Sequence, residues 1–227
     1  MISVDYRLMA RNVDFDTLKW CHGIAFAETV FRSATEDCCS AVRYAVEHAE
    51  EWGIDTSRII LTGSSAGAIT VLQTDYCRAN GHAWASELPQ GLRFAAVVSY
   101  AGAIYSNDGK PHYPTPPAPT CLFHGTKDKL VTYKSLDLFK YHFSGSSVIA
   151  KTLLDSGERC PQRVSYMFYR FVGHNHDVAE MMPRTVDEFV AFVDKALAGR
   201  FFQYETDCYN EAVDTDKVFS INLLKGI

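Results

Sequence analysis

The sequence predicts an α/β protein in which a mostly parallel sheet is flanked by helices. Two observations predict this class. Short apolar runs alternate along the chain with segments of helical periodicity. One of the runs, residues 94–100, is almost continuously apolar, which is typical of a strand covered on both faces. Strands that are separated by helices run parallel through crossover connections.

The individual elements follow from the same patterns. Apolar side chains recur at helical spacing after residue 34, and Gly53 stands where a glycine commonly ends a helix. The last helix has a strong apolar face that includes Val186, Phe189 and Val193. The predicted strands cover residues 2–6, 58–62, 94–100, 120–124 and 164–171. The predicted helices cover residues 34–51, 66–79, 132–143 and 185–198.

These elements predict one α/β domain over residues 1–198. Residues 199–227 are predicted to be a C-terminal extension, because aromatic residues there give way to acidic and polar ones. The extension is expected either to pack on the domain or to form a partly mobile tail.

Composition excludes several classes of function. The chain has 227 residues, 47% of them hydrophobic, which suffices for a substantial core. Its net charge of −5 and the lack of a basic run argue against binding to nucleic acid or to an anionic membrane surface. No apolar segment approaches the roughly 20 residues that span a bilayer. The seven cysteines include no CxxC pair, so no metal or redox motif is predicted, and Cys38 and Cys39 are expected to be buried thiols on a helix.

The most informative motif is Gly-Ser-Ser-Ala-Gly at residues 63–67. It joins a predicted strand to a predicted helix. A serine in such a sharp turn exposes its hydroxyl at the helix N-terminus, and small flanking residues let strand and helix approach each other. Ser65 is therefore a candidate nucleophile, and the amide of Ala66 points to where an oxyanion would develop.

An acid and a histidine follow in chain order, each just past a predicted strand. Asp128 lies in the loop after residues 120–124, and His174 and His176 lie in the loop after residues 164–171. Each of these residues alone is equally compatible with a solvated turn or a surface loop. The order Ser, Asp, His at three strand ends is much harder to obtain by chance.

The chain resembles the α/β-hydrolase superfamily, and within it the carboxylesterase and lipase-like branch. The resemblance covers roughly residues 1–198. It is carried by Val-Asp-Tyr-Arg-Leu at 4–8, Asp-Thr-Ser-Arg-Ile at 55–59, the serine motif at 63–67, His-Gly-Thr-Lys-Asp at 124–128 and His-Asp-Val at 176–178. It implies an α/β-hydrolase fold, a serine hydrolase that needs no cofactor or metal, and a small-molecule ester as its partner, acylated carbohydrates and small esters being the candidate substrates.

The resemblance also implies a triad of Ser65, Asp128 and His176. His176 is preferred as the base because an acidic and an aliphatic residue follow it, and His174, which follows Gly173, is the alternative. His124 is expected to be structural, as the first residue of the acid loop. Tyr100, Tyr105 and Tyr113 are candidates for aromatic contact with a substrate, with plain packing as the alternative.

The chain departs from the family at its N-terminal end. The family's glycine-rich oxyanion loop precedes the Asp-Tyr-Arg strand, whereas the first glycine here is Gly23. The family's early strands are also missing, which predicts a gap inside the sheet. Three explanations are open: an N-terminally truncated sequence, closure of the remaining strands into a smaller sheet, or completion by another chain. The alternative function is a catalytically impaired fragment or pseudoenzyme that acts as a binding domain.

Overall fold

A computed structural model describes residues 1–9, 20–159 and 164–209, without the side chains of 20–22 and 156–159. Helices and strands alternate over most of this length. The helices are α1 (Trp20–Glu47), α2 (Ala49–Trp52), α3 (Ala66–Ala79), α4 (Ser146–Arg159), α5 (Val178–Arg184) and α6 (Val186–Leu197). The strands are β1 (Ile60–Ser64), β2 (Ala96–Tyr100), β3 (Ala103–Ser106), β4 (Thr120–Gly125), β5 (Ser135–Leu138), β6 (Tyr141–Gly145), β7 (Tyr166–Phe171) and β8 (Gln203–Cys208).

Five of the strands form a parallel sheet in the order β1-β2-β4-β7-β8. Alternate residues of each strand face opposite sides, so the sheet builds two cores. Val97, Leu122 and Phe168 pack on one side against α1, α3 and α4. Val98 and Phe123 pack on the other side, against α5 and α6. The predicted α/β class with a mostly parallel, helix-flanked sheet is confirmed.

Sequence patterns located four of the five strands of the parallel sheet and the helices α1, α3 and α6. Helix α3 has the predicted bounds. The last four of the five predicted strands are present as β1, β2, β4 and β7, with ends that differ by a few residues. The first predicted helix is longer than expected, because α1 begins at Trp20. Cys38 and Cys39 lie on it as buried free thiols, as predicted. Burial raises the pKa of both.

The predicted strand at residues 2–6 is wrong. These residues have no regular secondary structure, and Ile2 and Val4 are exposed. The segment is held instead by Arg7, whose side chain donates to Asp37 of α1 at 2.8 Å. Residues 2–6 do not pair, so β1 is the edge of the sheet that the described residues form, and the predicted gap inside this sheet is also wrong.

The predicted helix at residues 132–143 is wrong as well. This segment forms the β5–β6 hairpin, which pairs with β3 in a second, antiparallel sheet. Its apolar residues fit helical spacing, but Ser135–Leu138 also alternates polar and apolar residues, as a strand does. Phe139 turns the chain with a φ of 52°, a backbone conformation that no helix tolerates. The helix follows the hairpin, as α4.

The predicted C-terminal extension contributes a strand to the main sheet. Strand β8 pairs in parallel with β7 along its whole length, and Arg170 of β7 binds Glu205 and Asp207 of β8. Residues 210–227 lie outside the described residues. The domain boundary at residue 198 stays a prediction.

Candidate active site

The serine motif forms a sharp turn between β1 and α3. Ser65 directly precedes α3 and has a φ of 53° and a ψ of −122°, a strained conformation for any residue other than glycine. Its amide donates to the carbonyl of Tyr100 on β2. A Cβ on Gly63 would collide with the backbone of Gly67, so a glycine is required where strand and helix come closest. The turn leaves Ser65 partly exposed at the carboxyl end of the sheet.

The acid loop (residues 126–131, after β4) and the histidine loop (residues 172–177, after β7) are joined by hydrogen bonds. The Thr126 amide donates to the Phe171 carbonyl, and the Lys127 amide to the His174 carbonyl. The Thr126 hydroxyl in turn accepts from the Gly173 amide at 2.9 Å. Sequence reasoning missed Thr126, whose only signal was its place in the loop between His124 and Asp128.

Gly125, at the end of β4, allows the two loops to approach. A Cβ at this position would collide with the backbone carbonyls of His174 and Asn175. The sequence places a glycine here without showing why. The structure shows that the histidine loop lies directly on top of it.

Ser65, His176 and Asp128 form one hydrogen-bond chain. His176 Nε2 lies 2.9 Å from the Ser65 hydroxyl, and His176 Nδ1 lies 2.7 Å from Asp128 Oδ2. Because an ionised carboxylate can only accept, Nδ1 carries the proton, and neutral His176 accepts from Ser65 through Nε2. Residues predicted from three separate loops therefore lie within hydrogen-bonding distance of one another.

The Asp128 side chain is fully buried and its oxygens are well partnered. Oδ1 accepts from the amides of Leu130 and Val131 at 2.8 and 2.9 Å. Burial by itself raises the pKa of this carboxyl, but the hydrogen bonds from His124 and His176 outweigh it and lower the pKa to about 2. Asp128 is therefore ionised throughout the physiological range.

His174, the alternative base, has a different environment. Its side chain is 2% exposed, against 17% for His176, and its Nδ1 lies 2.9 Å from Asp177 Oδ2. Asp177 directly precedes α5. His174 and Asp177 thus form a second, buried pair on either side of His176.

Ala66 is the first residue of α3. The first amides of a helix have no carbonyl partner within the helix, so this amide suits an anion beside Ser65. Among the described side chains, no group of three or more histidine, cysteine or acidic residues is arranged to hold a metal ion. No described helix combines the length and the apolar character needed to cross a membrane.

The three tyrosines have distinct surroundings. The Tyr100 hydroxyl lies 3.1 Å from Thr185 in the core beneath α6. Tyr113 packs edge-on against Tyr76 at 5.6 Å. Tyr105 lines a surface cleft with Trp84, beside the C-terminal half of α3 and so away from Ser65. The structure thus shows core packing for Tyr100 and Tyr113.

Part of the chain matches the model of a known family. The BD-FAE family model matches residues 23–104, which is about a third of the chain and includes the serine turn. None of the curated proteins compared with the chain matches it.

Solved structures are similar in fold to 72–82% of the chain. The propionate-bound Est2 esterase of the planctomycete Thermogutta terrifontis is 18% identical, with a TM-score of 0.50 over 82% of this chain and 69% of that one. Esterase PE8 is 20% identical, with a TM-score of 0.47 over 72% of this chain and 63% of that one. A truncated carbohydrate esterase from gut microbiota is 15% identical, with a TM-score of 0.48 over 72% and 69%. The chain thus spans between 63% and 69% of the length of these three structures.

At such identities the likeness concerns the fold. In this chain the fold is the parallel, helix-flanked sheet described above. The protein has the α/β-hydrolase fold.

Proposed function

We propose that the protein is a serine hydrolase that cleaves carboxylic esters through an acyl-enzyme on Ser65. The observation that carries this proposal is the hydrogen-bond chain from Ser65 through His176 to Asp128. Its three members come from separate loops at the carboxyl ends of β1, β4 and β7. A nucleophile, a base within reach of it and a carboxylate that orients the base are the parts that this chemistry needs.

The first half-reaction forms the acyl-enzyme. Ser65 Oγ attacks the ester carbonyl carbon while His176 Nε2 takes the hydroxyl proton. The carbonyl oxygen becomes an oxyanion, for which the Ala66 amide is the proposed donor. The C–O bond to the alcohol then breaks, and His176 returns the proton to the leaving alkoxide.

The second half-reaction repeats these steps with water. His176 takes a proton from a water molecule, whose oxygen attacks the acyl carbon. The bond to Ser65 breaks, Ser65 regains its proton and a carboxylic acid is released. Asp128, with a pKa of about 2, stays ionised throughout and stabilises the imidazolium that forms in both steps.

The substrate class we propose is small esters or acylated carbohydrates. Ile69, one helical turn beyond Ser65, and Val131, in the acid loop, meet in a small apolar cluster with Ala103. These side chains are buried beside the serine turn and the loop of Asp128, so the surroundings of both are apolar, which suits an uncharged acyl group. The Est2 structure of Thermogutta terrifontis, which shares the fold, holds propionate, a short carboxylate.

A catalytically impaired binding protein is the second candidate function. The observation that favours it is that one oxyanion donor, the Ala66 amide, has been identified among the described residues, and that no glycine precedes Gly23 in the sequence. Loss of one such donor typically lowers the rate about 100- to 1,000-fold. An intact triad in such a protein would react slowly or not at all.

Covalent labelling tests the proposal directly. The purified chain is treated with a fluorophosphonate, beside its Ser65→Ala and Ser64→Ala variants, and the intact masses are measured. Ser64 is the matched control because it is a neighbouring serine of the same turn. We expect one adduct on the wild type and on Ser64→Ala, and none on Ser65→Ala. A folded wild type without an adduct would overturn the hydrolase proposal in favour of a binding role.

A further inference from the structure

His124 is a fully buried histidine that the proposed reaction does not use. It lies on β4, four residues before Asp128, and its side chain is 0% exposed. Both ring nitrogens have partners within the protein. Nδ1 lies 2.7 Å from the Ser146 hydroxyl, and Nε2 lies 3.1 Å from the Val131 carbonyl.

These partners determine the tautomer of His124. A carbonyl oxygen can only accept, so Nε2 must carry a proton. In the neutral ring Nδ1 is then the acceptor, and the Ser146 hydroxyl donates to it. The Val131 carbonyl thus selects the form of His124 that presents an N–H toward the acid loop, and the Ser146 hydroxyl complements this form.

The same ring nitrogen also lies close to the carboxylate of Asp128. His124 Nε2 lies 3.3 Å from Asp128 Oδ2, the oxygen that accepts from His176. Two histidines therefore share one carboxylate oxygen, while backbone amides hold the other. His124 and His176 are the titratable groups that act on Asp128, and the ring of Tyr133 packs edge-on against His124.

His124 also joins two parts of the chain that are distant in sequence. Ser146 is the first residue of α4, 22 residues beyond His124. The acid loop and the β5–β6 hairpin lie between them. The base of the hairpin is fastened to α4 by the Ser147 amide and hydroxyl, which both donate to the Tyr133 carbonyl.

We propose that His124 is a positioning residue for Asp128: held as the Nε2–H tautomer by the Val131 carbonyl and supported by Ser146, it restrains the carboxylate oxygen that orients His176. This rests on the proposed function, since orientation of His176 matters only if His176 is the base. His124 is enclosed, so it touches no substrate. Its effect passes through Asp128 to His176 and then to Ser65.

Two substitutions separate this role from simple packing. His124→Phe keeps a ring of similar shape but removes the N–H, whereas His124→Gln keeps an amide N–H near the position of Nε2. Loss of a donor to the ionised carboxylate raises the pKa of Asp128 from about 2 toward its usual range. A carboxylate that has lost one donor also interacts more strongly with protonated His176. Protonated His176 cannot accept the proton of Ser65, so the acidic limb of the labelling rate moves to higher pH.

The first experiment measures the second-order rate of fluorophosphonate labelling as a function of pH. For His124→Phe we expect a rate about tenfold lower at the optimum, the usual size of one lost hydrogen bond to a charged group. We also expect its acidic limb to lie at higher pH by about half a pH unit or more. His124→Gln restores both values most of the way, and Ser146→Ala gives an intermediate loss. His112→Gln, an exposed histidine, is the control and behaves as the wild type.

The second experiment does not depend on activity. The Asp128 carboxyl carbon is followed by NMR during an acid titration of the wild type, His124→Phe and His124→Gln, each checked for folding by circular dichroism. We expect its titration to move to higher pH in His124→Phe and to return toward the wild type in His124→Gln. Should the Asp128 titration coincide in folded wild type and His124→Phe, the positioning role is overturned. If wild type lacks labelling but the Asp128 titration shifts, the proposed function fails while the contact from His124 to Asp128 stands.

Discussion

Two histidines of the loop after β7 each contact an aspartate, and the two pairs differ in sequence separation and in the exposure of the histidine. His174 and Asp177 are close in sequence and both buried, with 2.9 Å between Nδ1 and Oδ2. His176 is partly exposed and reaches Asp128, 48 residues away, at 2.7 Å. His176 alone of the two histidines also contacts Ser65.

The difference shows that one loop can contain a histidine that supports its backbone and another that belongs to the proposed triad. The local pair spans His176 and connects the loop to the start of α5, so it holds the loop backbone in place. The long-range pair links the loops that follow β4 and β7, at the carboxyl ends of the strands, where Ser65 also lies. We infer that the local pair gives stability and that the long-range pair gives reactivity.

The largest effect should come from the two histidines themselves. His176→Gln removes the proposed base, and loss of the base in serine hydrolases lowers the rate by about 10⁵- to 10⁶-fold. His174→Gln should keep labelling within about tenfold of the wild type. The measurement is the fluorophosphonate labelling rate of both variants. If His174→Gln proves the more damaging in folded protein, the assignment of the two pairs must be reversed.

The next effect concerns the carboxylate of the long-range pair. Asp128→Asn keeps the size of the side chain but no longer holds His176 in the tautomer that accepts from Ser65. Loss of the orienting acid typically lowers kcat by about 10⁴-fold. Ester hydrolysis by Asp128→Asn, compared with that by Asp177→Asn, measures the difference between the pairs. Equal losses in both variants would contradict the division of roles.

Acid stability should distinguish Asp128 further. Its pKa is lowered from 3.8 to about 2 in the folded protein, so ionised Asp128 stabilises the fold above pH 3.8, and this stabilisation is lost as the pH falls toward 2. The shift corresponds to about 2 kcal/mol in the free energy of unfolding. Denaturant unfolding between pH 5 and about 2 should show a shallower pH slope for Asp128→Asn. An unchanged slope would mean that Asp128 is not held as the structure shows.

The smallest effect is expected from the local pair. His174→Phe keeps a ring against Phe171 but removes the N–H that Asp177 accepts. Breaking a buried hydrogen bond to a carboxylate costs about 1–3 kcal/mol in the free energy of unfolding. Urea unfolding measures this loss, and the labelling rate at low temperature checks that the folded variant still reacts. A variant that is as stable as the wild type would show that the pair does not support the loop.

Much of the fold could be predicted from local patterns. Helix α3 and the strands around residues 60, 97, 122 and 168 carry strong periodicity or continuous apolar runs, which tertiary contacts reinforce. Predictions failed where local preference was ambiguous. Residues 132–143 fit helical spacing, but pairing with β3 and the turn at Phe139 make them a hairpin. Residues 2–6 fit a strand, but no described strand pairs with them.

The candidate site was predicted in part. Ser65 could be recognised because its turn needs small neighbours at fixed spacing, a requirement that is visible in the sequence. The preference for His176 over His174 rested on the residues that follow each histidine. His176 reaches Ser65 and Asp128 while His174 reaches Asp177, and this arrangement depends on backbone contacts between the two loops, such as those at Gly125 and Thr126. No local pattern in the sequence shows these contacts.

The sequence by itself determined the α/β class, the serine turn and the chain order of serine, acid and histidine. Periodicity and turn chemistry are local, so one chain suffices to show them. Tertiary structure alone decided which histidine meets Asp128, that His124 meets it as well, and that residues 203–208 join the sheet. These outcomes depend on contacts between segments far apart in sequence, whose energies are set by burial and by the pairing of polar groups once the strands have assembled.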